Sequence, residues 1–401
     1  MNGIVDKARA WLARSPGVLP GWPRLQGRRG SAITAVMAGD RCLAVRVEAS
    51  ASGALHIRAA SAGGPEVLPG WRKLAAGSQP LLVLGTAARH LLTLDRPQVP
   101  EAELGIAARW PAAAAQDIDP DQLLCTALEL PQTGSAARHQ MLAISAPLAP
   151  VQAQLARLRQ ARLEVRAIDV IDSALLGMLH LQAGPQEACV VLAPATGSLC
   201  IALMWQGRFC ALRTLALPQN HPSDDADYRD TLALHVQRTV DVFERQATML
   251  ALRHVLLSLP SISGEGFEAV ASALPLPARR FELARAFEID AAARPTLNAH
   301  EDLHALACVA ASRLLQGQSA AARAGALAAL GAPGSPAAAA DPSSAGTGAG
   351  TGAGKGAGAQ APAAPSPGGR APDAAQPRGP DAAAPQDPGR ASRPADEWAL
   401  Q

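Results

Sequence analysis

His300-Glu301-Asp302-Leu303-His304 is the sharpest chemical pattern in this chain of 401 residues. It fits His-Glu-x-x-His. On one helical turn that spacing sets two imidazoles side by side to hold zinc, with the glutamate as base for a metal-bound water. A third ligand is needed, and no histidine follows His304. The later carboxylates fall in a chain end built mainly of Ala, Gly and Pro. Asn298 or Asp302 can equally cap a helix that begins here. The stretch is read as a capped surface turn, and no metal is expected.

Glycine-bearing turns offer a different chemistry. Ala38-Gly39-Asp40 and Thr196-Gly197-Ser198 each follow an apolar run and can aim backbone N–H groups at a phosphate. A phosphate site with Mg²⁺ also wants carboxylates at the strand ends. Between Ser31 and Gly39, and between Ala188 and Gly207, there are none. Asp40 is the one candidate, and hairpin turns favour Asp for local reasons. Another stretch, Ser261-Ile262-Ser263-Gly264-Glu265-Gly266, joins a strand to a helix and can cradle a nucleotide, although such a turn favours Gly and Ser anyway. The candidates for a degenerate nucleotide contact are thus Gly39, Asp40, Thr196, Gly197, Ser198, Ser261 and Gly264. No P-loop, no nucleophile elbow and no Ser/His/Asp set is present by pattern.

Composition narrows the classes. A net charge of +2 makes no field that gathers nucleic acid, and 3% aromatics supply few stacking surfaces. No nucleic-acid partner is expected. Cys42, Cys125, Cys189, Cys200, Cys210 and Cys308 are scattered without Cys-x-x-Cys, as buried reduced thiols would be. No apolar run reaches the ~18 residues of a spanning helix, and no secretory leader is read at the N-terminus. Residues 1–30 carry Lys7, Arg9, Arg14, Arg24, Arg28 and Arg29 against Asp6. Ile4, Val5, Ala8, Trp11 and Leu12 share one face of a short helix, and Pro16, Pro20 and Pro23 end it. Such an arm can lie on an anionic membrane surface or meet a partner; the plainer readings are a frayed solvated arm or one docked on its own domain.

The elements that position the turns follow from periodicity. Ala32–Val47 and Ala54–Ala60 form a β-meander turning at Gly39-Asp40 and Ser52-Gly53. Strands are expected at Leu81–Leu84, Leu91–Leu94, Leu123–Leu130, His139–Ser145 and Leu163–Ile168. Helices are expected at Glu101–Ala115, interrupted by Pro111, at Pro147–Arg162, and at Ile171–Leu181, capped by Asp169 or Asp172. A second meander runs over Ala188–Leu217, then a helix over Tyr228–Leu250 with Leu232, Val236, Val240 and Phe243 on one face, then a strand at His254–Leu259. Phe267–Leu274 reads as helix, Ala278–Leu283 as strand and Leu303–Leu315 as helix. Both halves open with a meander followed by helix and strand, which suggests two similar α/β lobes facing a cleft.

The run Thr231-Leu-Ala-Leu-His-Val-Gln-Arg-Thr-Val-Asp-Val-Phe-Glu-Arg-Gln246 resembles the helix after the third strand in the pilus-assembly proteins PilM and MshI and the secretion protein GspL. Val165–Leu176 is similar to that family's strand-to-helix junction, and Leu94–Leu104 to its Pro-bounded entry into an inserted subdomain. The likeness covers roughly residues 31–318, and the MshI type fits best because GspL carries a membrane span. The resemblance implies an actin-like fold, two ribonuclease-H-like lobes around a cleft, cytoplasmic and peripheral at the inner membrane. It implies ATP as the cofactor of active relatives, and as partner the cytoplasmic N-terminus of a bitopic, PilN-like membrane protein. Where the family has Asp-x-Gly at its first phosphate strand, this chain has Val36-Met37-Ala38; at the second it has Leu192-Ala193-Pro194. Where the adenosine loop begins Gly-Gly, it has Pro260-Ser261.

The expectation is a non-catalytic α/β scaffold of the actin-like type, serving a type IV pilus (MSHA-like) or type II secretion assembly platform; an active ATPase of the same fold is the alternative. The arm is residues 1–30, the first lobe 31–185 with its insertion at about 98–150, the second lobe 186–318, and 319–401 a disordered Ala/Gly/Pro-rich tail.

Overall fold

The computed structural model describes residues 32–132, 139–182, 188–195, 198–216, 226–246, 251–260 and 262–330. The basic arm and residues 331–401 lie outside them. The first sheet has the order β14-β3-β2-β1-β4-β8. Its meander is β1 (Ala32–Ala38), β2 (Cys42–Ala49) and β3 (Leu55–Gly63), antiparallel throughout. Strands β4 (Gln79–Leu84) and β8 (Ala167–Val170) then add in parallel to β1. Helix α1 (Trp71–Leu74) leads into β4. Strand β1 is buried along its whole length, as a central strand covered on both faces should be.

The second sheet repeats the plan as β11-β10-β9-β12-β13. Its meander is β9 (Cys189–Ala195), β10 (Ser198–Trp205) and β11 (Arg208–Ala216), followed by parallel β12 (His254–Leu257) and β13 (Ala278–Arg280). The meander-then-parallel order occurring twice makes the fold actin-like, two ribonuclease-H-like lobes. The Gln206-Gly207 turn puts both residues at positive φ, 51° and 69°, as a tight hairpin demands. Helix α5 (Ala226–Gln246) buries Leu232, Val236, Val240 and Phe243 against this sheet beside α6 (Gly264–Ala273). That is the apolar face read from the sequence.

Several boundaries differ from the sequence reading. Helix α2 (Leu104–Ala114) runs through Pro111 instead of stopping there. The Ala115 N–H bonds the Pro111 carbonyl, and Leu104, Ala108 and Ala112 pack the helix onto its sheet; packing outweighs the one donor Pro lacks. Strand β8 begins at Ala167, not Leu163, because Leu163 still closes helix α3 (Leu148–Gln160). Its N–H bonds the Leu158 carbonyl, the Arg162 N–H bonds that of Arg159, and Arg162 stands at φ 59°, a Schellman end. Helix α6 starts at Gly264, because Ser263 caps it, and β13 stops at Arg280, with α7 taking up Leu283–Ala286.

The insertion is a sheet of order β5-β7-β6 under α2, and it draws in β5 (His90–Asp95), upstream of the expected boundary near 98. Strands β6 (Leu123–Glu129) and β7 (Gln140–Pro147) complete it. The stretch 186–318 is not one lobe. After β13 the chain returns to the first sheet: β14 (Glu288–Ile289) pairs with β3, and α8 (Arg294–Ala299) packs on it. Helix α9 (Asp302–Leu330) continues past Ser319, where the change in composition had placed the start of the tail.

Helices α4 (Ser173–Gln182) and α9 lie between the two sheets. Ser173 to Leu179 is buried on every side, the signature of a helix enclosed by layers. One core includes Val36 and Leu82 of the first sheet, Val191 and Ala202 of the second, and Leu175, Leu306 and Val309 from the helices between. The helices touch where Gly177 meets Cys308. A Cβ on Gly177 would fall on the Cys308 carbonyl group, so that crossing needs glycine. Gly177→Ala is expected to lower stability by about 1–3 kcal/mol in urea unfolding. Gly70→Ala, with φ −69° and open space at its Cβ, should stay within about 0.5 kcal/mol of the parent.

Candidate functional site

In a parallel α/β sheet, ligands gather at the carboxyl ends of the strands. Here β1, β4 and β8 end together; in the other lobe β12 ends at Leu257 opposite Leu192, and β9 runs on to Ala195. The β1–β2 turn is closed by Ala38↔Cys42 and spans Gly39, Asp40 and Arg41. Asp40 is exposed. The Gly39 carbonyl accepts from Arg157 at 3.3 Å, so this turn faces a guanidinium as a hydrogen-bond acceptor. Val36 and Leu192, which stand where the resemblance places carboxylates, are 0% exposed and packed in the two lobe cores.

In the other lobe, β9 and β10 pair out to Ala195↔Ser198, and Thr196 and Gly197 lie outside the described residues. The Ser198 hydroxyl lies 3.1 Å from that of Thr86, which follows β4 in the first lobe. Ser261 also lies outside the described residues. Gly264 is the first residue of α6, and its neighbour Ser263 accepts the Gly266 N–H at 2.9 Å. That capping bond uses at home a donor that a bound phosphate would want. The structure therefore brings Ser198 against the first lobe, keeps Gly39 and Asp40 on their own turn, and leaves Gly264 as an ordinary helix start.

The polar groups that do converge are ones the sequence reading did not select. Arg89 follows β4 and is buried. Its Nε donates to Asp172 Oδ2 at 2.7 Å and its Nη2 to Asp172 Oδ1 at 2.5 Å, and Nη2 also donates to Thr214 on β11. The Cys200 thiol on β10 donates to Asp172 Oδ1 at 3.4 Å. Burial, then the Asp172 charge, pushes that thiol well up, so it stays protonated. One carboxylate thus ties the first lobe to two strands of the second. Three residues upstream, Asp169 accepts from Arg313 of α9 at 2.8 Å, from the Ser173 hydroxyl at 2.8 Å and from the Val170 N–H at 2.6 Å. Burial pushes the Asp169 carboxyl up, and Arg313 opposes that shift.

Asp169 and Asp172 had read as caps for α4; both are instead buried ion-pair partners. The available signal was Arg313, a lone cation in the apolar run Leu303–Leu315, which has to find a carboxylate if it is buried. Arg89 gave no such signal. The carboxylates of this cluster are matched by guanidinium groups, which suits it to holding lobes together.

His300 and His304 do not share a helical face. His300 precedes α9 as the residue after α8. Arg41 reaches its Nδ1 at 2.8 Å and Asp302 at 3.0 Å; a guanidinium only donates, so both atoms are the acceptors of these contacts. His304 lies inside α9, where burial pulls its imidazole down to about 4. Among the described residues, no group of three or more His, Cys, Asp or Glu is placed to hold a metal ion. The cysteines are free thiols, buried except for the half-buried Cys210.

No protein-family model matches the sequence, and no curated protein sequence matches it. Among solved structures, the chain is similar to one from a PilM-PilN type IV pilus biogenesis complex, at 17% identity and a TM-score of 0.52, covering 73% of this chain and 99% of that one. The cytoplasmic domain of EpsL, an inner-membrane component of the type II secretion system of Vibrio cholerae, gives 13% identity and a TM-score of 0.40 over 61% of this chain and 94% of that one. A Bacteroides thetaiotaomicron protein with an actin-like ATPase fold gives 7% and 0.37 over 69% and 96%. The first is close enough in backbone to carry the fold; at that identity it carries nothing more.

Arg89→Leu alone strands a buried carboxylate and is expected to cost about 3–5 kcal/mol in urea unfolding, while Arg89→Leu with Asp172→Leu recovers most of that loss. His304 gives a pH dependence. Its imidazole stays neutral in the folded chain down to about 4, whereas an unfolded histidine takes its proton near 6.5. Stability from this group is present above pH ~6.5 and is lost as pH falls toward ~4, up to about 3 kcal/mol in all. His304→Asn should flatten that part of the profile measured by unfolding at a series of pH values.

Proposed function

We propose that this chain is a non-catalytic actin-like scaffold of an inner-membrane platform that assembles a type IV-like pilus, of the MshI type, or a type II secretion system. It works on the cytoplasmic side and holds the cytoplasmic N-terminus of a bitopic partner of the PilN kind. The observation that carries the reading is a fold likeness over 99% of the PilM-PilN chain, combined with apolar, fully buried Val36 and Leu192 at the two phosphate strands. A valine and a leucine supply no oxygen to Mg²⁺ or to its water shell, so the nucleotide chemistry loses its metal while the fold is kept. In this reading the partner's peptide is held by seating its apolar side chains against the scaffold. Among the described residues no helix is long and apolar enough to cross a membrane. Attachment through the bitopic partner is the route to the membrane in this reading.

Titration calorimetry with Mg-ATP should show no saturable heat at millimolar nucleotide. A Kd near ~1 μM, about −8 kcal/mol, would favour the ATPase alternative. In cells expressing the whole assembly operon, cross-linking should capture a bitopic inner-membrane protein through its cytoplasmic N-terminus. A chain that stays fully soluble there, with no such protein attached, sinks the scaffold reading.

A further inference from the structure

Helix α2 is built inside out. Its inward face is Leu104, Ala108, Ala112 and Ala113, mostly small and all buried. Small residues let it lie close on β6: a Cβ on Gly105 would sit 3.4 Å from the Cys125 carbonyl oxygen and from Thr126 Cα. The large apolar side chains point the other way. Trp110 is 69% exposed and Ile106 51%. At a spacing of four they stand one above the other on the helix, and the exposed Ala114 extends the strip by another turn. An ordinary amphipathic helix would bury Trp and Ile and expose Ala.

Acidic groups flank the strip at both ends. Glu101 and Glu103 are exposed before it, and Asp117, Asp119 and Asp121 are exposed after it. Between residues 101 and 121 the one base is Arg109. An apolar strip with negative ends fits a basic segment that has an apolar helical face. This chain carries such a segment in residues 1–30, where Ile4, Val5, Trp11 and Leu12 share a face among Lys7, Arg9 and Arg14.

We infer that residues 1–30 of this chain dock on the outer face of α2. Ile4, Val5, Trp11 and Leu12 cover Ile106 and Trp110, and Lys7, Arg9 and Arg14 meet the acids at the two ends. Reach permits it. The chain upstream of Ala32 spans about 100 Å when extended at ~3.3 Å per residue. A folded body of roughly 290 residues has a radius of gyration of only about 19 Å. The contact joins a desolvated aromatic to exposed charge pairs, so salt weakens it. An arm held on α2 is withheld from anionic lipid. The inference does not depend on the assembly role proposed above.

Hydrogen exchange on the full chain tests it. At low ionic strength residues 4–12 should be protected, and about 0.5 M NaCl, with a Debye length of only a few ångströms, should release them. Ile106→Ser with Trp110→Ser should speed exchange of residues 4–12 about tenfold and leave the urea midpoint of the body unchanged, since both side chains are exposed. Arg9→Glu with Arg14→Glu should release the arm in the same way. Exchange of residues 4–12 at the unprotected rate in low salt overturns the inference, as does protection indifferent to the α2 substitutions. Protection that appears only with phosphatidylglycerol vesicles assigns the arm to lipid and overturns it too. Shielding of α2 that grows with protein concentration and survives Arg9→Glu with Arg14→Glu makes a second copy the occupant, and likewise overturns it.

Discussion

The crossing of α4 over α9 at Gly177 is the constraint on which the rest of this structure depends. Without a Cβ there, the Cys308 backbone comes into direct contact. That closeness lets two helices fit between two sheets and bury α4 on all sides. It also sets the register that brings Arg313 of α9 to Asp169 of β8, the strand that precedes α4. Glycine in a helix costs roughly 0.5–1 kcal/mol relative to Ala, a small term beside the apolar surface that this packing removes from water.

Because the crossing helices touch both sheets, the lobes share a core. Val191 and Ala202 of the second sheet belong to the same cluster as Val36 and Leu82 of the first. The Arg89–Asp172 pair, extended to Thr214 and Cys200, adds a polar tie at the end of the strands. A buried ion pair contributes little net stability, because desolvation consumes most of the attraction. What it does contribute is penalty for any arrangement that separates its members. Lobes joined in this way are held by side chains of the chain itself, and a fold of this type can persist without a ligand bridging its cleft.

The glycine turns and the insertion differ in where their apolar side chains lie. Beside the turns, Val36 and Leu192 are drawn into the cores, Ser263 caps its own helix, and the Gly39 carbonyl accepts from the distant Arg157. At α2 the trend is reversed, with large apolar side chains left on the surface.

Much of this was legible in the sequence alone. Apolar runs of strand length broken by Gly turns determined both meanders, and the stripe Leu232, Val236, Val240, Phe243 determined the buried face of α5. Val36 and Leu192 stand where the resemblance places carboxylates, and residue type alone decides that neither side chain supplies an oxygen ligand. The tertiary structure decided the rest. Asp169 and Asp172 had the local look of caps, and only the fold brought Arg313 and Arg89 to them from distant positions. His300-Glu301-Asp302-Leu303-His304 matched a helical pattern, yet the helix begins at Asp302 and His300 turns to Arg41. The return of the chain to the first lobe through β14 and α9 left no mark in composition. Local periodicity reports which face of an element is apolar. Which distant element covers that face, and which charge meets which, depends on contacts far apart in sequence, and these exist only once the chain has packed.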